Sequence, residues 1–473
     1  MDEVYTHCAG LDVHKKTVTA CRILGAGAQR QQETRTFGTT TRELLALRDW
    51  LQEGGCTHVA MESTGSYWQP VYNILEGSAE LLLVNAKHMQ NVPGRKSDVH
   101  DAGWSAELLR YGLLRASFVP PQPQRDLRDL TRGRSLLVGE RATVVNRLQK
   151  VLEGANLKLG NVASDVVGVS GRAMLAAILA GVEAPEQLAG LARGRLKEKQ
   201  AALVLALEGR VREHHRFLLA QHLVHLDFLD EQIERFDQQV EAQLQRLSLP
   251  ATPPAPPTGP APPETPETPE TPETPETPET PETPSDGAPP AARDRGSRWE
   301  PETPLAYTAA VALLDAVPGI APPGAQAILA EIGTDMRRFP SAAHLASWAG
   351  MAPGNHESAG KRRSGKTTEG NAALRKALVQ AAHGAKQTKG SYFGALYHRL
   401  AGRRGAKKAI VAVGHALLQA IYYMLRYHEP YRELGRNYYD EQRKEGLVDR
   451  LVKRIEKLGY RATVELQPQA AVA

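Results

Sequence analysis

The sequence predicts a mixed α/β domain at the amino terminus, followed by a long and mostly helical region. Two observations predict this order: the first third alternates strand-like and helix-like segments, and the remainder shows helical apolar spacing interrupted once by a proline-rich stretch. With 473 residues, 41% of them hydrophobic, we expect roughly two to four domains. Three cysteines without a Cys-x-x-Cys pair argue against a disulfide framework and against a cysteine zinc site, so buried thiols are expected at Cys8 and Cys21.

The elements of the α/β domain follow in order along the chain. Apolar alternation predicts strands near 6–12, 17–24 and 29–37, after which Thr40 opens a helix with leucines at helical spacing. The remaining elements are a strand at 57–63, a helix at 68–76, a strand at 81–84 and a helix from about Asp98 past Leu109. Three strands followed by helix, strand, helix, strand and helix is the order of a ribonuclease-H-like fold.

Four carboxylates fall at special places in this order. Asp12 closes the first strand, Glu62 closes the fourth, and Asp98 and Asp101 share one face of the last helix. Ionised carboxylates that converge at strand tips repel one another unless a cation compensates them. Mg²⁺ prefers oxygen ligands, so the pattern predicts a phosphodiester-cleaving site that holds two Mg²⁺ ions.

Each acid also has an ordinary interpretation. Asp98 alone would be a helix cap, and Glu62 alone would be a solvated turn residue. The four acids together, in this element order, favour the shared metal site. His14 and His100 flank the acids, and we expect each to lie beside the metal ligands or on the surface rather than to bind the metal.

The helical region contains a candidate coiled coil. Residues 123–160 are rich in arginine and leucine, which indicates either a phosphate-facing surface or a solvated face of alternating charge. Further along, apolar residues repeat every seven positions at Leu219, Leu226, Ile233 and Val240, with Leu229 and Phe236 as a second row. We expect this seam to join protomers; the alternative is an antiparallel helical hairpin within one chain.

A proline-rich segment then separates two halves of the chain. Residues 249–304 contain seven consecutive Glu-Thr-Pro units that begin at Glu264. Proline at every third position excludes a helix or a central strand. We expect an extended, disordered, acidic linker.

The C-terminal half carries the second candidate site. Val-Pro-Gly319-Ile predicts a helix-hairpin-helix turn with backbone N–H groups suited to a phosphate, or else an ordinary helical hairpin. A glycine- and lysine-rich loop follows, in which Ser358 precedes three cations that would stabilise a phosphodiester under attack.

The segment from Asn371 to His428 contains ten lysines and arginines and no acidic residue, which indicates a polyanion partner. Interleaved aromatic residues could stack on bases or form helical core: Tyr392, Phe393, Tyr397, Tyr422 and Tyr423. The candidate nucleic-acid contacts are Lys361, Arg362, Arg363, Lys366, Arg375, Lys376, Arg403, Arg404, Lys407 and Lys408.

The ordered motifs resemble a known family. In their order along the chain, these motifs are similar to those of the DEDD transposases of bacterial insertion sequences. The motifs are Gly-Leu-Asp12-Val-His-Lys, Met-Glu62-Ser-Thr-Gly, Lys-Ser-Asp98-Val-His-Asp101-Ala, Val-Pro-Gly-Ile, and Trp-Ala-Gly-Met-Ala-Pro with Ser358 and Asn371. These transposases form the IS110 (IS-one-ten) family, which includes an IS-eleven-eleven branch. The resemblance implies a RuvC-like domain with Mg²⁺ on the four acids, a coiled-coil insertion and a transposase domain with a serine nucleophile at Ser358. It also implies a structured bridge RNA that selects donor and target DNA.

Two features depart from the family pattern. Glu-Ser358-Ala-Gly is looser than the expected Glu-Ser-Gly, so Ser364 is a reserve nucleophile, and the Glu-Thr-Pro linker is not a family feature. The predicted domains are a RuvC-like catalytic domain at 1–160, a helical coiled-coil segment at 161–248, the linker at 249–304, a transposase domain at 305–435 and a helical tail at 436–473.

We therefore predict an RNA-guided DNA transposase or recombinase, a cytoplasmic and nucleoid-associated homodimer or homotetramer without a membrane segment. The alternatives are a RuvC-like junction endonuclease that uses water as nucleophile, and an inactive nucleic-acid-binding relic.

Overall fold

The computed structural model forms two compact units, Met1–Gln122 and Pro123–Ala473. It describes residues 3–63, 65–85, 101–249, 301–354, 356–358, 361–364, 367, 370–442, 444–461 and 463–464. The predicted boundary at residue 160 therefore lies inside the second unit. The Glu-Thr-Pro units of the predicted linker lie outside the described residues.

The first unit has the predicted α/β element order. Its described elements are β1 (His7–Val13), β2 (Thr17–Leu24), β3 (Gln31–Gly38), α1 (Thr41–Glu53), β4 (His58–Glu62), α2 (Trp68–Leu75), β5 (Glu80–Val84) and α3 (Asp101–Arg110). The strands form one five-stranded sheet in the order β3-β2-β1-β4-β5. The first three strands are antiparallel, while β4 runs parallel to both β1 and β5. This mixed sheet agrees with the predicted ribonuclease-H-like class.

The two faces of the sheet are covered by different helices. Ala9, Leu11 and Val13 on β1 belong to a buried cluster with residues of α1 and α2. Cys8 on the opposite face packs with Ala102 and other residues of α3. All three cysteines are free and buried, as predicted for Cys8 and Cys21.

The second unit is mostly helical. Its first half contains α4 (Gln122–Gly154), α5 (Leu159–Val162), α6 (Val169–Leu179), α7 (Pro185–Gly190), α8 (Gln200–Leu207) and α9 (Glu213–Ser248). Its second half contains α10 (Tyr307–Asp315), α11 (Pro322–Ile332), α12 (Ala342–Trp348), β6 (His356–Ser358), β7 (Lys361–Ser364), α13 (Ala372–Ala385), α14 (Tyr392–Arg404), α15 (Ala406–Tyr427), α16 (Tyr438–Glu441) and α17 (Lys444–Lys457). Strands β6 and β7 replace the loop that the sequence predicted between two helices.

The long helices α4 and α9 form an antiparallel pair within the chain. Arg134 forms an ion pair with Asp237, and Arg141, two turns further along α4, forms one with Asp230. The α9 partner number falls as the α4 number rises, so the two helices run in opposite directions.

The expected protomer seam is therefore largely used inside one chain. Leu219, Leu226 and Leu229 are buried in a cluster that includes Leu148 of α4, and Val240 is also buried. Of the seam residues, Ile233 and Phe236 remain partly exposed. The prediction that this seam joins protomers is wrong for Leu219, Leu226 and Leu229, because these leucines pack in one cluster with residues of α4 and of the short helices α5 to α8. The antiparallel alternative describes them correctly.

The predicted hairpin of the C-terminal half consists of α10 and α11. Gly319 in its turn has φ +87°, and an added Cβ would lie 2.2 Å from the Ala385 nitrogen of α13. Val317 and Ile320 both donate their backbone N–H groups to carbonyls within the turn region. These two N–H groups are therefore used within the turn, and phosphate binding at this hairpin stays a prediction.

Among the described helices, α15 alone has the length and apolar composition that could cross a membrane. Most of its apolar residues, including Val413, Leu417 and Ile421, are buried inside the protein. A core helix accounts for this composition.

Candidate active site

Asp12 and Glu62 lie at the same edge of the sheet. Leu11 of β1 pairs with Met61 of β4 in the parallel register, so the next residues along the two strands are Asp12 and Glu62. Neighbouring strands are about 4.8 Å apart. The two carboxylates therefore occupy adjacent positions where the parallel strands end.

Both carboxylates also lie on one face of that sheet. Side chains alternate along a strand, and Asp12 has the same parity as Cys8 on β1, while Glu62 has the same parity as Ala60 on β4. Cys8 and Ala60 belong to the cluster that packs against α3. Asp12 and Glu62 are thus on the α3 side of the sheet, and both are partly exposed.

A glycine allows α3 to approach β1 closely. A Cβ at Gly10 would lie 2.2 Å from the Ala102 carbonyl oxygen and 2.4 Å from the Ala106 nitrogen. Cys8 lies two residues earlier on β1, and its Sγ is 3.6 Å from the Ala106 carbonyl oxygen. Moving along β1 toward Asp12 thus means moving toward the N-terminus of α3.

Asp101 is the first described residue of α3 and is exposed at that N-terminus. Ser105 donates its hydroxyl to the Asp101 backbone carbonyl over 2.8 Å. Asp101 therefore belongs to the same end and the same side of the unit as Asp12 and Glu62. A carboxylate in the first turn of a helix is also favoured by the helix dipole.

The ligand set predicted for metal is incomplete in the described part of the chain. Asp98 and His100 lie outside the described residues. Within the residues that are described, no group of three or more His, Cys, Asp and Glu side chains is close enough together to hold a metal ion. The structure brings Asp12 and Glu62 to one edge and puts Asp101 on α3, without showing all four acids together.

His14 stands next to Asp12. Its Nε2 lies 3.1 Å from Asp12 Oδ2, and its side chain is 66% exposed. His14 therefore lies beside a predicted metal ligand, which is the position expected for it. The nearby acids offer oxygen donors, a donor set that suits Mg²⁺ better than a softer ion.

Ser358 lies in a short antiparallel hairpin formed by β6 and β7. Ser358 pairs with Lys361 next to the turn, whereas Ser364 pairs with His356 at the open end. Arg362 pairs with Glu357, Arg363 follows it on β7, and Lys366 lies outside the described residues. The two candidate serines therefore occupy opposite ends of one hairpin.

The hairpin is closed at its base by backbone contacts. Pro353 and Thr367 form an isolated β-bridge. Gly370 packs so closely on Gly350 that a Cβ on it would lie 2.2 Å from the Gly350 nitrogen. Asn371 then donates its N–H to the Trp348 carbonyl over 3.3 Å.

The remaining predicted nucleic-acid contacts differ in exposure. Arg375 is half-buried, and Lys376 donates its Nζ to the Ser135 hydroxyl over 2.7 Å. Besides the exposed Lys376, four exposed cations of the set flank the turn between α14 and α15, at Arg403, Arg404, Lys407 and Lys408. This turn is therefore one solvent-exposed part of the predicted basic surface.

Most of the predicted stacking aromatics are core residues. Tyr392, Phe393 and Tyr422 are buried, and Tyr397 and Tyr423 are partly buried. The arginines of α4 likewise form ion pairs, as Arg132 does with Glu331 and Arg134 with Asp237. These two arginines are thus paired within the protein, and the interpretation of α4 as a phosphate-facing surface stays a prediction.

One acid that the sequence analysis missed is buried in the second unit. Glu331 is 1% exposed and contacts Arg128, Arg132 and Asn371. The available signal was a lone acid in the apolar run Ala-Ile-Leu-Ala-Glu331-Ile, since a buried charge requires partners.

Two family models match the chain. The model for the DEDD type of IS110, described as a transposase, matches residues 9–157. The model described as "Transposase IS116/IS110/IS902 family" matches residues 311–398. Together they cover half of the chain; the first spans the four predicted acids, and the second spans Ser358, Glu331 and Asn371. No curated protein matches the chain.

Proposed function

The chain belongs to the IS110 family of DEDD transposases and is a DNA transposase, and from this premise we propose that it is an RNA-guided recombinase with a serine nucleophile. In this proposal it cuts and rejoins the DNA of a bacterial insertion sequence. The observation that carries the proposal is the adjacent placement of Asp12 and Glu62 at one sheet edge, on the side covered by α3.

The carboxylates would hold Mg²⁺, with two ions per site. Asp12 and Glu62 supply oxygen donors from neighbouring strands, and Asp101 supplies one from the start of α3. Asp98, three residues earlier in the chain, lies outside the described residues and would complete the set. When bound, the ions neutralise charge on the scissile phosphate and stabilise its leaving oxygen. His14 Nε2 would donate a hydrogen bond to the Asp12 carboxylate and so orient it.

Ser358 would be the nucleophile. Its Oγ would form a bond to phosphorus, and the bond to the 3′ oxygen would break, which leaves a covalent protein–DNA link and a free 3′-hydroxyl. Lys361, Arg362 and Arg363 follow within five residues and would stabilise negative charge on the phosphate. Ser364, at the other end of the hairpin, is the reserve nucleophile.

The partners would be donor DNA, target DNA and a non-coding bridge RNA. The exposed cations between α14 and α15 supply a surface for a polyanion, because phosphate contacts supply most non-specific affinity. We place this transposase in the bacterial cytoplasm with the nucleoid, as a homodimer or homotetramer and without a membrane partner.

The second candidate is a RuvC-like junction endonuclease in which water attacks. The carboxylate edge suits it too, since such a site needs no serine; the match of the second transposase model over residues 311–398, which include Ser358, favours the recombinase. An inactive nucleic-acid-binding relic would retain the basic surface and lack cleavage.

A denaturing gel separates these functions. The purified protein is incubated with Mg²⁺, its co-purified RNA and end-labelled junction DNA. A labelled adduct from the parent and from Ser364→Ala, but not from Ser358→Ala, supports the serine recombinase. Free ends from all three proteins support the endonuclease, and intact DNA in every lane supports the relic.

A further inference from the structure

Glu331 connects three helices of the second unit. Its side chain accepts hydrogen bonds from Arg132 Nε over 2.7 Å and from Arg132 Nη2 over 2.9 Å, while Arg128 Nε lies 3.2 Å away. On the other side, Asn371 Nδ2 donates to Glu331 Oε2 over 2.6 Å. One buried carboxylate on α11 therefore binds α4 through two guanidinium groups and binds the start of α13 through an amide.

The same part of α4 caps the end of α11. The last carbonyls of a helix have no partner inside the helix. Gln124 Nε2 and Arg128 Nε donate to the Ala330 carbonyl over 3.1 and 3.0 Å, and Arg128 also donates to the Glu331 carbonyl. Glu331 is consequently held through its backbone as well as its side chain, which fixes the position of its carboxylate.

Asn371 extends this contact to the serine hairpin, defined here as residues 356–364. It caps α13, because its Oδ1 accepts the Leu374 N–H over 3.0 Å, and its own N–H donates to the Trp348 carbonyl. Trp348 ends the helix that precedes the hairpin, and Asn371 begins the helix segment that follows it. The segments that lead into and out of the hairpin, at Trp348 and Asn371, are thus bonded to each other at the residue whose amide contacts Glu331.

We propose that Glu331 is a positioning residue for strand cleavage, which holds the base of the serine hairpin through Asn371. The proposal rests on the function proposed above, in which Ser358 attacks the DNA. We call the Glu331–Asn371 contact the clamp. It fixes the hairpin relative to α4 and α11, while the exposed cations provide the affinity for DNA. Its loss should therefore reduce the rate of attack at saturating DNA and leave DNA binding unchanged.

Asn371→Ser tests the clamp without removing the helix cap. Serine is as good an N-cap as asparagine, but its hydroxyl is too short to replace the amide donor to Glu331. We expect normal folding, an unchanged Kd for DNA and a single-turnover cleavage rate lowered by about tenfold or more, because small displacements of reacting groups are costly. Asn437→Ser is the matched control: Asn437 precedes α16 and makes no side-chain cap bond, so this variant should cleave like the parent.

Exchanging the amide and the carboxylate between positions 331 and 371 distinguishes a positioning role from a general loss of folding. Glu331→Gln alone and Asn371→Asp alone each destroy the amide–carboxylate pair. Combined, they restore one amide and one carboxylate in exchanged places, so the double variant should cleave faster than either single variant. A parent-like rate for Asn371→Ser, or a double variant slower than both singles, would overturn the proposal.

The readout is the strand-cleavage rate, with Ser358→Ala in parallel. If Ser358→Ala still cleaves while Asn371→Ser is slow, the proposed nucleophile fails and the clamp stands. If Ser358→Ala is inactive and Asn371→Ser is fast, the clamp fails and the nucleophile stands.

Discussion

The two units use buried and partly buried carboxylates in opposite ways. Glu331 is enclosed and has its charge matched inside the protein by Arg128 and Arg132. Asp12 lies at a partly exposed edge beside Glu62, with Nε2 of the mostly exposed His14 3.1 Å from its carboxylate. A buried carboxylate whose charge is matched by arginines holds neighbouring helices together, whereas adjacent carboxylates at an open edge suit an external cation.

The sharpest test of this contrast is the stability of Glu331→Gln. The substitution removes the negative charge between two guanidinium groups, and burial already lowers the pKa of Arg128 to about 10. We expect the free energy of unfolding to fall by about 3–5 kcal/mol, the cost of breaking a buried ion pair, as measured by urea denaturation. Asp12→Asn is the comparison: it removes a charge from a crowded edge and should unfold at the same or higher urea concentration in the absence of metal.

A second test concerns the glycine that brings α3 against the sheet. Gly10→Ala would force its Cβ into the Ala102 carbonyl and the Ala106 nitrogen, so α3 and Asp101 must shift. We expect a loss of about 1–3 kcal/mol together with weaker cleavage. Gly139→Ala is the control, since Gly139 is in α4 and an added Cβ meets no atom within 4 Å. That variant should be neutral or more stable; equal effects in both would contradict the close packing.

As the pH rises, the first unit should begin to lose folding stability at a lower pH than the second unit. Burial raises the pKa of the Cys8 thiol to about 12 and of the Cys56 thiol to about 11. The unfolded chain loses these protons near pH 9 and the folded chain keeps them, so stability is complete below about pH 9 and declines as the pH rises toward 11. The slope is at most ~1.4 kcal/mol per pH unit for each thiol. Following the near-ultraviolet signals of the two units between pH 8 and 11 would check this order, with Cys56→Ser as a variant that reduces the slope.

The smallest effect is expected from the Glu-Thr-Pro segment. Deleting Glu264–Pro284 removes all seven units, and halving a loop changes its closure free energy by only ~0.6 kcal/mol. Cleavage should be retained, with the thermal transitions of both units unchanged. Loss of either transition would mean that the segment packs against the protein.

The sequence predicted the sheet well because each strand carries its own signal. Apolar alternation located β1, β2 and β4 within a residue or two, and the element order then brought Asp12 and Glu62 to one edge. The last helix was expected from Asp98, and its described part begins at Asp101.

Other features depend on contacts that no local pattern contains. The heptads of α9 are the same whether their partner is a second protomer or α4, whose packing residue Leu148 lies far away in sequence. The β6–β7 hairpin was missed because its short strands are polar and lack apolar alternation. Glu331 gains its partners from α4 and α13, so only the fold reveals its role.

The edge formed by Asp12 and Glu62 should bind Mg²⁺, whereas the Glu331 cluster should not. Thermal melting with and without millimolar Mg²⁺ tests it in the parent, in Asp12→Asn and in Asn371→Ser. A ligand that binds the folded state raises the melting temperature. We predict that Mg²⁺ raises the melting temperature of the parent and of Asn371→Ser, and leaves that of Asp12→Asn unchanged. An equal rise in Asp12→Asn, or no rise in the parent, would contradict Mg²⁺ binding at this edge.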